Sequence, residues 1–162
     1  MRKRYYLAGP YNEQERLRIS RDEITKLSGW TCTSRWVAGS HDNVSAIVAA
    51  TNDYADIEDA EAMVIDCHRS STRGGMWVEF GVAFERRMPI IVIGGADYAQ
   101  RLNVFALSGR AHIVVVPYHA RYAAKVLRAI SEDVFNRDPK RNVHNPLEIP
   151  SFLHDPRLKI FN

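Results

Sequence analysis

Glu79 is the residue whose type and setting first suggest chemistry. It lies in the stretch from Ser70 to Pro89, where Gly74 and Gly75 can turn sharply and expose backbone N–H groups before a helical pattern begins at Met76. Apolar residues of that helix recur three and four positions apart, and Glu79 shares their face. Such a carboxylate is either an acid favoured by a helix N-terminus or a catalytic group in a mostly apolar cleft.

A second pair of acids lies on another predicted helix. Asp53 and Asp56 are three residues apart and therefore share one face. A solvated acidic face is one interpretation, but Asp53 has the apolar neighbours Ala50 and Ile57. A nucleophilic carboxylate together with a second acid is the combination that retaining glycosyl transfer uses.

These acids need elements to position them, and the chain alternates strand and helix patterns throughout. Buried strands are predicted at 4–8, at 30–37 with an end near Ser34, and at 62–66, 90–93 and 112–116. Helices are predicted at 13–28, capped by Asn12, and at 44–59, 76–87 and 120–135. The residues expected to face the core are Leu17, Ile19, Ile24 and Leu27; Ile47, Ala50, Tyr54 and Ile57; Met76, Phe80, Ala83 and Phe84; and Ala123, Val126, Leu127 and Ile130.

This alternation predicts a single-domain α/β protein, a three-layer α/β/α sandwich around a flavodoxin-like five-stranded parallel sheet of order 2-1-3-4-5. Ligands of such sheets bind beyond the carboxyl ends of the strands. Those ends carry Gly9-Pro10, 34–36, 66–75 and the segment from Gly94, so Glu79 is close to the expected site. The domain is expected to span 1–135, and the Pro-rich tail at 136–162 to pack on it or on a neighbouring subunit.

Composition narrows the class of protein. The chain has 162 residues, 46% hydrophobic and 25% charged, with a formal net charge of +3, which suits one globular domain and does not demand nucleic acid. No apolar run is long enough for a membrane span, and Cys32 and Cys67 fit a reducing, cytoplasmic compartment. Metal-ligand spacings, the dinucleotide fingerprint and the Walker A motif do not occur in the sequence, so neither metal nor organic cofactor is expected.

Several short segments together carry a resemblance to a known family. They are Y-Y-L-A-G-P at 5–10, S-R-W-V at 34–37, N-D-Y-A-D-I-E-D-A-E at 52–61, R-G-G-M-W-V-E-F-G-V-A-F at 73–84 and L-N-V-F at 102–105. In this order and spacing the chain resembles the nucleoside 2-deoxyribosyltransferase family, which includes the related 2′-deoxynucleoside 5′-phosphate N-hydrolases.

The resemblance implies a role for each matched residue. Glu79 would attack the anomeric carbon and release the base, and Tyr6 at the end of the first strand would orient it. Asp53 would assist protonation of the base. Asn103 would be lent by a neighbouring subunit to bind the 5′ side of the sugar, which implies a homo-oligomer, at least a dimer. We also expect burial to raise the pKa of Asp53 and the helix N-terminus to keep Glu79 ionised.

The position six residues before Glu79 departs from the nucleoside transferases, which commonly carry an Asp there. Arg73 occupies it and, with the N–H groups of Gly74 and Gly75 and the charge of Arg35, would suit a 5′-phosphate. Asn103 instead matches the nucleoside-type enzymes. Trp36 and Trp77 are candidates to stack on a base. The predicted substrate-binding residues are Gly9, Pro10, Arg35, Trp36, Asp56, Arg73, Gly74, Gly75 and Asn103.

The predicted activity is therefore cleavage or exchange of the N-glycosidic bond of 2′-deoxynucleosides or their monophosphates, in nucleotide salvage, through a glycosyl–Glu79 intermediate. A 2′-deoxynucleoside 5′-monophosphate N-hydrolase is the alternative within the class. An alternative from another class is a non-catalytic module that binds nucleotides. The expected partner is a small nucleoside or nucleotide, without a nucleic-acid polymer or a membrane.

Overall fold

A computed structural model describes residues 3–66, 75–94 and 113–132 of the chain. The strands are β1 (Arg4–Ala8), β2 (Thr31–Cys32), β3 (Ala62–Asp66), β4 (Ile90–Ile93) and β5 (Ile113–Val116). The helices are α1 (Gln14–Ser28), α2 (Ala46–Glu58), α3 (Gly75–Glu85) and α4 (Ala120–Ser131), and two 3-10 helices span Tyr11–Glu13 and Arg35–Ala38. Within these residues no helix is long and apolar enough to cross a membrane.

The strands form one parallel sheet in the order β2-β1-β3-β4-β5, which confirms the predicted fold class. The registers Tyr6 to Met63 and Ile65 to Val92 bring the carboxyl ends of the central strands to one edge. Every residue of β3 and β4 is buried, as expected for parallel strands covered on both faces. Helices α1 and α4 pack together on one face, and α2 and α3 on the other.

Helix α1 departs from its prediction at its start and on one face. Tyr11–Glu13 forms a 3-10 turn, and α1 begins at Gln14 with no side-chain cap, so the capping role predicted for Asn12 is wrong. Ile19 is 64% exposed because it lies two residues, or about 200°, around the helix from the buried Leu17. Gly29 ends the helix in the left-handed conformation, as predicted.

The second strand is shorter than the alternating pattern of 30–37 predicts. After Thr33 donates its N–H to the Tyr5 carbonyl, the chain leaves the sheet, and the Ser34 hydroxyl accepts the Leu7 N–H at 2.6 Å. A side chain thus replaces a backbone acceptor of the ladder. The chain is then free to coil into the 3-10 helix Arg35–Ala38, which places Trp36 at the edge of the sheet.

Helix α2 contains the largest error in the predicted core. It begins at Ala46 with Ser45 as its cap, and of the four residues expected to face inward only Ile57 is buried. Ile47 is 80% and Tyr54 51% exposed, and Ala50 is exposed as well. The helix instead turns Asp56 and Ile57 toward the sheet, which leaves an apolar surface facing solvent.

The remaining elements agree closely with expectation. Helix α3 runs from Gly75 to Glu85 and buries Met76, Phe80 and Ala83, although Arg86 and Arg87 lie in the following turn. All four residues predicted to face inward on α4 are buried. His112, the residues after Glu132 and the predicted tail at 136–162 lie outside the described residues.

Candidate active site

A cavity of about 550 Å³ opens at the carboxyl end of β1, where ligands of parallel sheets bind. Its volume is within the range of small-molecule sites. It is lined by the loop after β1, the segment after β2, and one face each of α2 and α3. The lining residues are Gly9, Pro10, Tyr11, Asn12, Trp36, His41, Asp53, Gly75, Met76 and Glu79.

Glu79 projects from the second turn of α3 toward the end of β1. Its Oε1 atom accepts a hydrogen bond of 2.9 Å from the Tyr6 hydroxyl, which is the contact that the sequence analysis expects. Burial raises the pKa of Glu79 to about 7, with Asp53 adding to this effect and the Tyr6 hydrogen bond opposing it. The sequence analysis expects the helix N-terminus to favour the ionised form of Glu79, but Glu79 lies beyond the first turn of α3, and burial is the largest effect on its pKa.

Tyr6 connects the two carboxylates of the cavity. It is fully buried within β1, and its phenol interacts with both Glu79 and Asp53. Burial, followed by the charges of these two acids, raises the pKa of Tyr6 far above its ordinary value. The phenol therefore stays protonated at any physiological pH and acts as a permanent hydrogen-bond donor.

Asp53 reaches the cavity from α2, with 20% of its side chain exposed. Burial raises its pKa, as the sequence analysis expects, while His41, the Tyr6 hydrogen bond and Arg35 lower it. The reason given for singling out Asp53 fails in part, since Ala50 is exposed. Asp53 lines the cavity because α2 packs beside α3.

His41 is a cavity residue that the sequence analysis did not select. Its Nε2 atom lies 3.2 Å from Asp53 Oδ1, and only 10% of its side chain is exposed. It belongs to a polar loop between the second 3-10 helix and α2. Its only signal in the sequence is that this loop follows a predicted strand at the carboxyl edge of the sheet.

An aromatic wall closes another side of the cavity. Trp36 is 3% exposed, donates its indole N–H to the Leu7 carbonyl at 3.2 Å and stacks on Tyr11, with ring centroids 6.2 Å apart. Tyr11 and Asn12 line the cavity although neither was selected from sequence. Trp77 does not line it and instead packs edge-on against Phe80 within α3.

Gly9, Pro10 and Gly75, which were predicted to bind substrate, line the cavity. Each has a different structural role. A Cβ atom at Gly9 would lie 2.8 Å from a methyl group of Leu17, so close packing of α1 on β1 requires glycine there. Pro10 forms the adjoining wall. Gly75 begins α3, and a Cβ there would lie 4.0 Å from Glu79 Oε1, beside the reactive group.

Arg35 and Asp56 lie outside the cavity lining. The backbone N–H and the Nε atom of Arg35 donate to Asp56 at 2.9 and 2.7 Å, and its Nη2 donates to the Asn52 carbonyl. Asp56 is 5% exposed, so this is a buried carboxylate that fastens the second 3-10 helix to α2. The structure therefore brings Arg35 and Asp56 together, and their hydrogen bonds hold the 3-10 helix that carries Trp36.

Three predicted binding residues, Arg73, Gly74 and Asn103, lie outside the described residues, and their roles stay predictions. The described lining of the cavity contains two carboxylates and a histidine but no Lys or Arg.

No family model and no curated protein matches the chain. Among solved structures, the chain is similar to the CMP N-glycosidase BcmB of Clostridium botulinum, with a TM-score of 0.56 and 17% identity, covering 79% of this chain and 99% of that one. A conserved protein from Enterococcus faecalis V583 gives a TM-score of 0.47 and 14% identity, covering 84% of this chain and 96% of that one. At this identity the likeness to BcmB shows a shared α/β fold.

Proposed function

We propose that the protein is an N-glycoside-cleaving enzyme of the nucleoside 2-deoxyribosyltransferase type, acting on 2′-deoxynucleosides or their monophosphates. The observation that carries the proposal is the buried Glu79 carboxylate, held by the Tyr6 hydroxyl at 2.9 Å inside a cavity that also contains Asp53. A carboxylate largely withdrawn from water, without an ion pair to a described residue, is unfavourable for folding, so its retention in a cleft is a mark of function.

The proposed reaction proceeds in two steps. A Glu79 carboxylate oxygen forms a bond to the anomeric carbon as the bond from that carbon to the base nitrogen breaks, and the electron pair departs with the base. Asp53, whose raised pKa favours the protonated acid, supplies the proton that neutralises the leaving base. A second base or water then attacks the glycosyl ester and releases Glu79. Positive charge develops on the sugar in both steps, and the adjacent carboxylate stabilises it.

Two features bear on the choice between nucleoside and nucleotide. The absence of Lys and Arg from the described lining, and the engagement of Arg35 with Asp56, favour a neutral nucleoside. The fold neighbour BcmB is a glycosidase of a nucleotide, CMP, which favours the alternative, a monophosphate N-hydrolase that uses Arg73 and Gly74. A non-catalytic nucleotide-binding module remains the alternative of another class.

One experiment separates these functions. Deoxyinosine and deoxyinosine monophosphate are each incubated with the protein, with and without free adenine, and base release is followed by chromatography. Exchange that requires adenine identifies a transferase, whereas hypoxanthine release from the monophosphate alone identifies a hydrolase. Binding of either compound without turnover would support the non-catalytic module and contradict the proposal.

The nucleophile is tested by quenching the reaction in acid and weighing the intact protein. We expect an adduct of one deoxyribosyl group in the wild type and none in Glu79→Ala. Glu85→Gln is the matched control, because Glu85 is an exposed acid at the end of the same helix. Base release that persists in Glu79→Ala would contradict the assignment.

We further propose that the enzyme is a homo-oligomer, at least a dimer, in which Asn103 completes the neighbouring site. Support comes from the exposed apolar side chains of the α2–α3 layer, which are Val44, Ile47, Val48, Tyr54 and Val78. The segment 44–52 contains no charged residue. Ile47→Asp should dissociate the oligomer in light scattering, while Ile19→Asp on the opposite layer should not. A monomeric wild type would contradict this proposal.

A further inference from the structure

We infer that His41 and Asp53 act as one proton-transfer unit, in which His41 supplies the proton that Asp53 passes to the leaving base. The inference rests on the proposed N-glycosidic cleavage and adds a residue to it. It follows from the position of His41 in the lining of the cavity that Glu79 also lines, and from the contact between His41 and Asp53.

The loop that carries His41 is held from both sides. Gly39 has a φ of 95° and Asn43 a φ of 64°, which turn the chain at each end of the loop. The Asp42 carboxylate accepts a hydrogen bond of 3.1 Å from the Tyr11 hydroxyl, and the Asp42 backbone N–H donates one of 3.1 Å to the Gly39 carbonyl. His41 therefore lies in a loop of defined conformation that directs it toward α2.

The two side chains meet at atoms with no other partner. His41 Nε2 and Asp53 Oδ1 face each other at 3.2 Å, and neither atom has a well-aligned hydrogen bond. Buried polar atoms normally have such bonds, and unsatisfied ones concentrate where a ligand or a transferred proton completes them. Both residues line the cavity, so a nitrogen of a bound base can reach this pair.

The surrounding charges are consistent with one mobile proton shared by the pair. Asp53 interacts with Tyr6 of β1 and with Glu79 of α3. The charges of Arg35 and Asp56 also act on Asp53. Asp42 follows His41 in the loop. Burial raises the pKa of Asp53, and the neighbouring His41 lowers it.

The proton balance follows from this arrangement. The single proton of the pair moves from His41 Nε2 to Asp53, and as the glycosidic bond breaks, the electron pair on the base nitrogen takes it from Asp53, which leaves a neutral imidazole beside a carboxylate. In the second step the incoming base or water gives up one proton, and the pair takes it back. No other reactant is required.

The test uses a pair of substrates that differ in their need for this proton. 2′-Deoxyguanosine requires protonation of its base, whereas 7-methyl-2′-deoxyguanosine carries a cationic base that leaves without one; each is used as nucleoside or monophosphate, whichever the wild type accepts. We expect His41→Ala and His41→Gln to lose about 100-fold or more in kcat on the first substrate and only a few-fold on the second. Gln can donate a hydrogen bond to Asp53 but cannot transfer a proton.

Controls make each outcome decisive. His119→Ala, an exposed histidine before α4, should match the wild type on both substrates. Equal losses on both substrates in folded His41→Gln, or wild-type activity in either variant, would overturn the inference in favour of a structural role. A wild type that releases no base from any 2′-deoxynucleoside or its monophosphate contradicts the proposed function itself, and it does so before any variant is measured.

Discussion

Tyr5 and Tyr6 are adjacent in β1 and fully buried, yet they serve opposite layers of the molecule. The Tyr5 hydroxyl lies 3.1 Å from the Arg21 carbonyl and 3.2 Å from Thr25 on α1, so its partners are neutral and local to one helix. The Tyr6 hydroxyl faces two carboxylates between α2 and α3. One tyrosine completes a packed layer, and the other holds charged groups in place.

The two layers differ in the same way. The α1–α4 layer buries the apolar face of α4 and fastens it with a 2.7 Å hydrogen bond from Trp30 to Ser131. The α2–α3 layer buries Asp56, partly buries Glu79 and leaves Ile47 and Val78 exposed. The first layer also contacts a buried carboxylate, Asp66, but pairs it with Arg16 and Ser20 of α1. By contrast, Glu79 in the second layer has no ion pair with a described residue, which is common at functional sites.

Replacing Glu79 with Gln should have the largest effect. We expect kcat to fall by more than about a thousandfold, because the amide cannot form the glycosyl ester. The free energy of unfolding should change in the opposite direction, in favour of the Glu79→Gln variant. Burial raises the pKa of Glu79 from 4.5 to about 7, so the folded protein holds this proton more tightly than the unfolded chain, and wild-type stability falls as pH rises through that window.

The gap in unfolding free energy between Glu79→Gln and the wild type should therefore grow by up to about 3 kcal/mol from about pH 4 to pH 8. Denaturant titrations at both values measure it. Glu85→Gln should show no such growth, since Glu85 is exposed. A constant gap would mean that Glu79 is not desolvated, and the contrast between the two layers would then lose its main support.

The adjacent tyrosines provide the next test. Tyr6→Phe should reduce kcat by about 10- to 100-fold and move the acidic limb of the pH–rate profile upward, because the hydrogen bond that lowers the pKa of Glu79 is lost. Tyr5→Phe should leave the profile unchanged and reduce stability by about 1 kcal/mol. Steady-state kinetics and thermal unfolding of both variants check this, and equal effects on kcat would contradict the division of roles.

A smaller effect is expected for Asp56, which holds the 3-10 helix that carries Trp36. Asp56→Asn presents an amide donor to the N–H groups of Arg35, and we expect a loss of about 1–3 kcal/mol in stability with a rise in KM through displacement of Trp36. Asp59→Asn is the matched control, because the Arg4–Asp59 ion pair is 41% and 52% exposed and should contribute little. The opposite ranking in thermal unfolding would count against Asp56 as a support of the site.

Prediction from sequence succeeded where one local pattern decides the structure. The structure confirms the strands predicted at 62–66 and 90–93 and the predicted buried face of α4. Continuous apolar runs and three-to-four spacing can be recognised without knowing which elements pack together. The prediction for helix α2 failed because most of its apolar residues lie on the solvent side, so their spacing selects the wrong face as the buried one. Its orientation follows from the buried contacts of Asp56 and Ile57, which spacing alone does not reveal.

The sequence by itself determined the order of strands and helices, the parallel sheet and the candidate acids Glu79 and Asp53, since these follow from periodicity and from the types of residue at strand and helix ends. Only the tertiary structure decided the raised pKa of Glu79 and the presence of His41 beside Asp53. Desolvation depends on everything that packs around a group. Residues 41, 53 and 79 meet only when a loop and two helices converge at the end of β1.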